Sequence, residues 1–120
     1  MKRAVLAALL LALAACGGTS SAPQPAAAQL AHKIPGCHAF LAQTPDALAK
    51  ADVSCSLGGT ASAEVVTFAS MGDEQKWITK QGNYYGCCVE GHLWAATYSS
   101  ASGSYFPRIR RALGGREVAG

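Results

Sequence analysis

Behind a basic Lys2-Arg3, the chain opens on an unbroken apolar run from Ala4 to Ala15. A bilayer-spanning helix needs about 20 apolar residues, so this run is too short to span. With its positive flank it has the layout of a signal segment. After Cys16 the pattern vanishes. Gly17 to Ala28 carries no charge, no aromatic residue and no apolar period, so it cannot bury enough surface to offset the entropy of ordering and is expected to act as a flexible tether.

Periodicity begins beyond the tether. Leu30, Ala31 and Ile34 predict one or two apolar helical turns, stopped by Pro35-Gly36. Thr44-Pro45-Asp46 marks a turn or a helix start, and Ala47-Leu48-Ala49-Lys50 favours helix, so a second short helix is expected between His38 and Ala51. Val53, Cys55 and Leu57 then alternate with Asp52, Ser54 and Ser56, as in a strand with one buried face. Gly58-Gly59 turns the chain, and Glu64 to Ala69 returns as a β-branched and aromatic strand.

Ser70 followed three residues later by Asp73 is a capping-box-like helix start. Glu74 suits the positive end of that helix dipole, Trp77 and Ile78 supply an apolar stripe, and Gly82-Asn83 ends the helix. A second hairpin is expected from Tyr85–Val89 and Leu93–Tyr98, turning near Glu90-Gly91. Ser102-Gly103-Ser104 opens a last helix, with Tyr105, Phe106, Ile109, Ala112 and Leu113 on one face, Pro107 in the first turn and Gly114-Gly115 as terminator. These elements predict an α+β fold. It has an antiparallel sheet of about four strands, made of two hairpins and crossed on one face by the Trp77 and Ile109 helices. The chain is expected to divide into a signal at 1–15, Cys16 with its tether at 16–28, a domain at 29–116 and a tail at 117–120.

At 120 residues there is room for one domain. The ten Lys and Arg outnumber seven acids, but Lys2 and Arg3 are expected to leave with the signal, and in a nearly balanced mature chain nucleic-acid binding loses its main support. Arg108, Arg110, Arg111 and Arg116 nevertheless crowd together against Glu117. They form either a solvated face or a contact for anionic headgroups.

Leu13-Ala14-Ala15-Cys16 resembles the lipobox of bacterial lipoproteins, which is cut before a cysteine whose sulfur carries a diacylglyceryl group. Two acyl chains hold a protein stably where one holds it marginally, so the resemblance implies a lipid-anchored protein on the extracytoplasmic face of a membrane. Five further stretches resemble a group of small actinobacterial extracytoplasmic lipoproteins. They are Leu30-Ala31-His32-Lys33-Ile34-Pro35-Gly36-Cys37, Ser54-Cys55-Ser56-Leu57, Val66-Thr67-Phe68-Ala69-Ser70, Lys76-Trp77 and Val89-Glu90-Gly91-His92-Leu93-Trp94. This resemblance implies the same localisation and a bridge from Cys37 to Cys55, but no activity. Cys87-Cys88 departs from its pattern.

Outside the cytoplasm disulfides persist, and Cys37, Cys55, Cys87 and Cys88 allow three complete pairings. The rivals to Cys37–Cys55 join those two with the later pair. Cys87 and Cys88 are adjacent and on a strand would point to opposite faces. They are read as small buried residues, as a vicinal disulfide, or as thiols free for redox work. Cys88, Glu90 and His92 would share one face of an unbroken strand, as a metal or nucleophile site does, but a turn at Glu90-Gly91 removes that alignment. His32 and His38 are expected at the surface. No phosphate loop, serine elbow or C-x-x-C pair is present. The expectation is therefore a non-enzymatic, membrane-tethered module, without cofactor, binding an envelope protein, peptide or small molecule. The alternatives are a thiol-redox or metal-handling protein using Cys87 and Cys88, and an inhibitor of an envelope enzyme.

Overall fold

The computed structural model describes residues 26–85, 87–100 and 105–118, and α2 (below) without its side chains from 82 to 85. The signal, Cys16, most of the tether and Ser102-Gly103-Ser104 lie outside the described residues. In chain order the elements are α1 (Ala27–His32), β1 (His38–Ala42), β2 (Ala51–Gly58), β3 (Ala61–Thr67), α2 (Met71–Tyr85), β4 (Cys88–Gly91), β5 (Trp94–Ser99), α3 (Phe106–Leu113) and β6 (Arg116–Val118). The fold is α+β, with a six-stranded sheet in the order β1-β2-β3-β5-β4-β6. Every neighbouring pair is antiparallel.

The expected strand count of four is low, because both edge strands escape the pattern. His38–Ala42 is a strand, and the segment after it holds a turn at Ala47-Leu48 in place of the expected second helix. There Asp46 accepts the Leu48 N–H at 2.8 Å, the local side-chain bond by which an aspartate favours a turn over helix. At the other edge, Arg116–Val118 pairs with β4, and Glu117 and Val118 belong to the expected tail. α1 likewise starts at Ala27, two residues inside the expected tether.

The two hairpins form as predicted, with small shifts. β2 and β3 align Val53 with Val65 and Cys55 with Ala63. In the second hairpin the turn falls at His92-Leu93, and Tyr84 and Tyr85 belong to α2, which runs beyond Gly82-Asn83. Pro107 occupies the first turn of α3, and the Gly114 N–H closes that helix on the Arg110 carbonyl at 2.8 Å.

The helices do not share one face of the sheet. α1 and α3 cover the first face, where Leu30, Ala31, Ile34 and Ile109 pack on Val53, Cys55, Val65, Val89 and Ala96. α2 covers the second face, where Trp77 and Ile78 pack on Val66, Phe68, Cys88 and Ala95. Adjacent strand residues point to opposite faces. The fully buried neighbours Val65-Val66, Cys88-Val89 and Ala95-Ala96 therefore require cover on both sides. Trp77 is the lid expected over the hairpin, tilted against Phe68 at 5.7 Å between ring centres.

The sulfurs of Cys37 and Cys55 lie at disulfide distance, with Cα atoms 5.5 Å apart. A bridge here ties the α1–β1 turn to β2 across 18 positions, which in the chain-entropy picture stabilises the fold by roughly 3 kcal/mol.

Candidate functional site: a polar row beside the second helix

Strand register builds the site. Ser54, Glu64 and Thr97 are directly opposite one another on β2, β3 and β5, so they form a row across the second face. α2 leaves this row uncovered. Beside it opens a hollow of about 690 Å³, lined by Ser54, Ser62, Glu64 and Thr97 from the sheet, Gln81 from α2 and Phe106 from α3. With Tyr98 also in the lining, hydroxyls, an amide and a carboxyl are combined with two aromatic rings, the mixture of apolar surface and few polar groups that orients a ligand.

Glu64 shares a hydrogen bond with Asp52, two positions along β2 from Ser54. Burial pushes the Glu64 carboxyl up to about 7, helped by the bond to Asp52 and by the negative charges of Asp52 and Asp46. Burial also raises Asp52; its bond to Glu64 works against that shift, and Asp46 adds to it. Two carboxyls this close cannot both ionise cheaply, so they hold a proton between them. Asp52 Oδ1 is closed to solvent and has no hydrogen-bond partner. Glu64, the member of the pair that lines the hollow, can donate to a polar ligand when protonated and accept from it when ionised. His32, His38 and His92 are all exposed and none lines the hollow.

A second carboxyl cluster lies under the turn between β4 and β5. Glu74, in the first turn of α2, is fully buried, and its Oε1 accepts the Leu93 N–H at 2.8 Å. The Leu93 carbonyl in turn accepts the Phe68 N–H at 2.9 Å. Held at both backbone groups, Leu93 keeps a φ of +63°, which is uncommon for a residue with a side chain. Burial lifts Glu74 to about 7 against the lowering effect of the Leu93 bond, and nearby Glu90 lifts it further. Glu90 accepts Gln75 at 3.2 Å and the Arg116 guanidinium at 2.8 and 2.9 Å. This cluster ties the start of α2 to the hairpin and to β6, so its role is architectural.

Of the cysteines named from the sequence, Cys37, Cys55, Cys87 and Cys88 are described, and none of the four lines the hollow. Cys87 and Cys88 lie beneath α2, 3% and 0% exposed, with their sulfurs at disulfide distance from each other. Cys87 Sγ also faces the Ile78 carbonyl at 3.9 Å. Cys88 and Glu90 share a face of β4, whereas His92 stands in the turn, so the possible alignment of the three is not formed. Among the described residues no three His, Cys, Asp or Glu side chains are gathered as metal ligands.

Sequence reasoning missed Asp52 and Glu64 as site residues and read Glu74 only as a partner of the helix dipole. Asp52 reads as an ordinary polar position of an alternating strand, and Glu64 only as the first residue of the returning strand. The usable signal was their abundance of hydroxyl neighbours on two paired strands. Comparison with known proteins finds no matching family model, no matching curated protein and no matching solved structure.

Proposed function

We propose that the mature chain is a lipid-anchored protein of the extracytoplasmic membrane face, and that its domain is a non-enzymatic binding module of the cell envelope. The ligand is polar, a peptide end or a small hydrogen-bonding molecule, taken into the hollow beside the Ser54–Glu64–Thr97 row. The carrying observation is that hollow of about 690 Å³, within the range of small-molecule sites, with the Glu64 carboxyl in its wall and Asp52 hydrogen-bonded behind it. The anchored half of the reading is supported by Leu13-Ala14-Ala15-Cys16 behind the apolar run. It is also supported by two cysteine pairs at disulfide distance, which suit an oxidising compartment.

The thiol-redox alternative draws less support from the geometry. An attacking thiolate must reach either sulfur of the adjacent pair, and α2 covers both. The hollow supplies hydroxyls, an amide and the Glu64 carboxyl, with no thiol among its described lining residues.

The test is capture from the membrane fraction with the native protein and with a Thr97→Trp variant, whose indole would fill the hollow. Mass analysis of the N-terminal peptide accompanies it. A diacylglyceryl mass on Cys16 and a drop in captured ligand of about tenfold or more with Thr97→Trp are expected. Equal capture by both proteins would remove the hollow as the binding site, and an unmodified Cys16 would remove the anchor.

A further inference from the structure

The charged side chains of the domain are sorted by face. On the side of α1 and α3 stand Lys33, Arg108, Arg110 and Arg111, all exposed, and among the described residues Glu117 is their one acidic companion. On the other side, Asp46, Asp52, Glu64, Asp73, Glu74 and Glu90 outnumber the basic residues. Those basic residues are Lys50, Lys76, Lys80 and Arg116, and Arg116 is already engaged by Glu90.

α3 produces the basic side directly. Ile109 is fully buried against the sheet, and at 100° per residue Arg111 then points away from it, with Arg108 and Arg110 flanking. The helix has no acidic residue. Arg108 lies over the Tyr105 ring, 4.7 Å from its centre, and reaches toward Gly36 in the turn after α1. That turn also follows Lys33, so the basic stripe crosses from one helix to the other.

The anchor enters at this same layer. α1 is the first element described, and Ala27 follows Cys16 closely enough that even a fully extended connection keeps it within about 40 Å of the sulfur. Charge sorting and chain entry therefore favour the same surface.

We propose that the α1/α3 layer is a docking face for an anionic lipid bilayer, the one to which Cys16 anchors the chain. The proposal rests on the anchored reading above. Anionic headgroups attract basic side chains held within a Debye length of roughly 8–10 Å. Arg108 and Arg111 supply that charge from a rigid helix, with no ion pair of their own among those described. Docking this face turns the Ser54–Glu64–Thr97 row away from the bilayer, toward ligands of the envelope.

The experiment places the native lipidated protein in vesicles of phosphatidylcholine alone, or with about 30% phosphatidylglycerol, and follows amide hydrogen exchange. Exchange in Phe106–Leu113 and in the turn after Lys33 is expected to slow by roughly threefold or more only where the anionic lipid is present. About 0.5 M salt, which shortens the Debye length toward 4 Å, should abolish the slowing. An Arg108→Gln/Arg111→Gln double variant, folded as judged by unchanged exchange on neutral vesicles, should abolish it as well. Equal exchange on both vesicles overturns the docking face. The Cys16 lipid mass from the same sample then shows whether the anchored reading stands without it.

Discussion

The first face of the sheet carries two helices and the second carries one, and much of the molecule's chemistry follows from that inequality. A helix is about 10–12 Å across with its side chains, and strands are spaced about 4.8 Å apart. One helix therefore covers two or three strands of a six-stranded sheet. On the first face, α1 and α3 together seal an apolar layer from Val53 across to Val89. On the second, α2 lies over Phe68, Ala95 and Cys88 and leaves Ser54, Glu64 and Thr97 open beside it. Strand residues on the uncovered part are hydroxyls and carboxyls because no apolar partner reaches them. That polar remainder is what becomes a binding surface.

The sharpest way to break this contrast is to remove one side chain from each face. Ile109→Ala takes a fully buried residue from the seam between α3 and the sheet, and a loss of about 2–5 kcal/mol is expected. Thr97→Ala removes a hydroxyl from the open row, and about 0.5 kcal/mol or less is expected. Urea unfolding of the two variants measures both. Equal losses would show that the second face is packed as tightly as the first.

The parts read from the sequence are those where local pattern and tertiary contact agree. Val53, Cys55 and Leu57 alternate because β2 buries one edge of its pleat first, and Pro107 with Gly114 marks both ends of α3. β1 was hidden because its five residues are mostly exposed and do not alternate. It exists through its pairing with β2, with an irregular register near Ala39, whose φ is +56°. Such irregularity is one way an edge strand avoids pairing with other chains. β6 is three residues long and held by β4. Cover on both faces was encoded in the adjacent apolar pairs Val65-Val66 and Ala95-Ala96, which no single-face hairpin explains. The site was less legible still, because Ser54, Glu64 and Thr97 are far apart in sequence and only strand register brings them into one row. Glu74 read as a partner of the helix dipole, and its contact with Leu93 depends on a turn formed later in the chain.

A smaller effect separates the two carboxyl clusters by pH. Glu64 and Glu74 both titrate near 7 in the folded protein, above the ordinary value of 4.5. The folded state thus binds these protons more tightly than the unfolded chain does. Their contribution to stability is fully present below about pH 4.5 and is lost as pH rises toward 7, on the order of 2 kcal/mol for each. Glu64→Gln and Glu74→Gln should each flatten that decline in denaturation measured across the interval. Glu64→Gln should do so while also altering ligand capture, whereas Glu74→Gln should leave capture unchanged. A Glu74→Gln variant that loses capture would join the two clusters into one site.

The smallest expected difference concerns the arginines that bound each face. Arg110 meets Glu117 at 3.4 Å, with both side chains more than a third exposed, a geometry that contributes about 0–1 kcal/mol and is weakened by salt. Arg116 meets Glu90 at 2.8 Å, and although the arginine side chain is 79% exposed, the glutamate is only 9% exposed. Removing Arg116 leaves a carboxylate that is closed to water and lies near Glu74, and the lost charge cannot be replaced fully by solvent. Arg116→Ala should therefore cost about 1–2 kcal/mol, discounted from a fully buried pair by the exposure of the arginine. Arg110→Ala should cost about 0.5 kcal/mol or less. The Arg116→Ala loss should persist in added salt, because its acidic partner is shielded by protein, while the Arg110→Ala loss should fade. Equal salt responses would mean that Glu90 is solvated like Glu117, and that the β4–β6 edge is as open as the basic face opposite it.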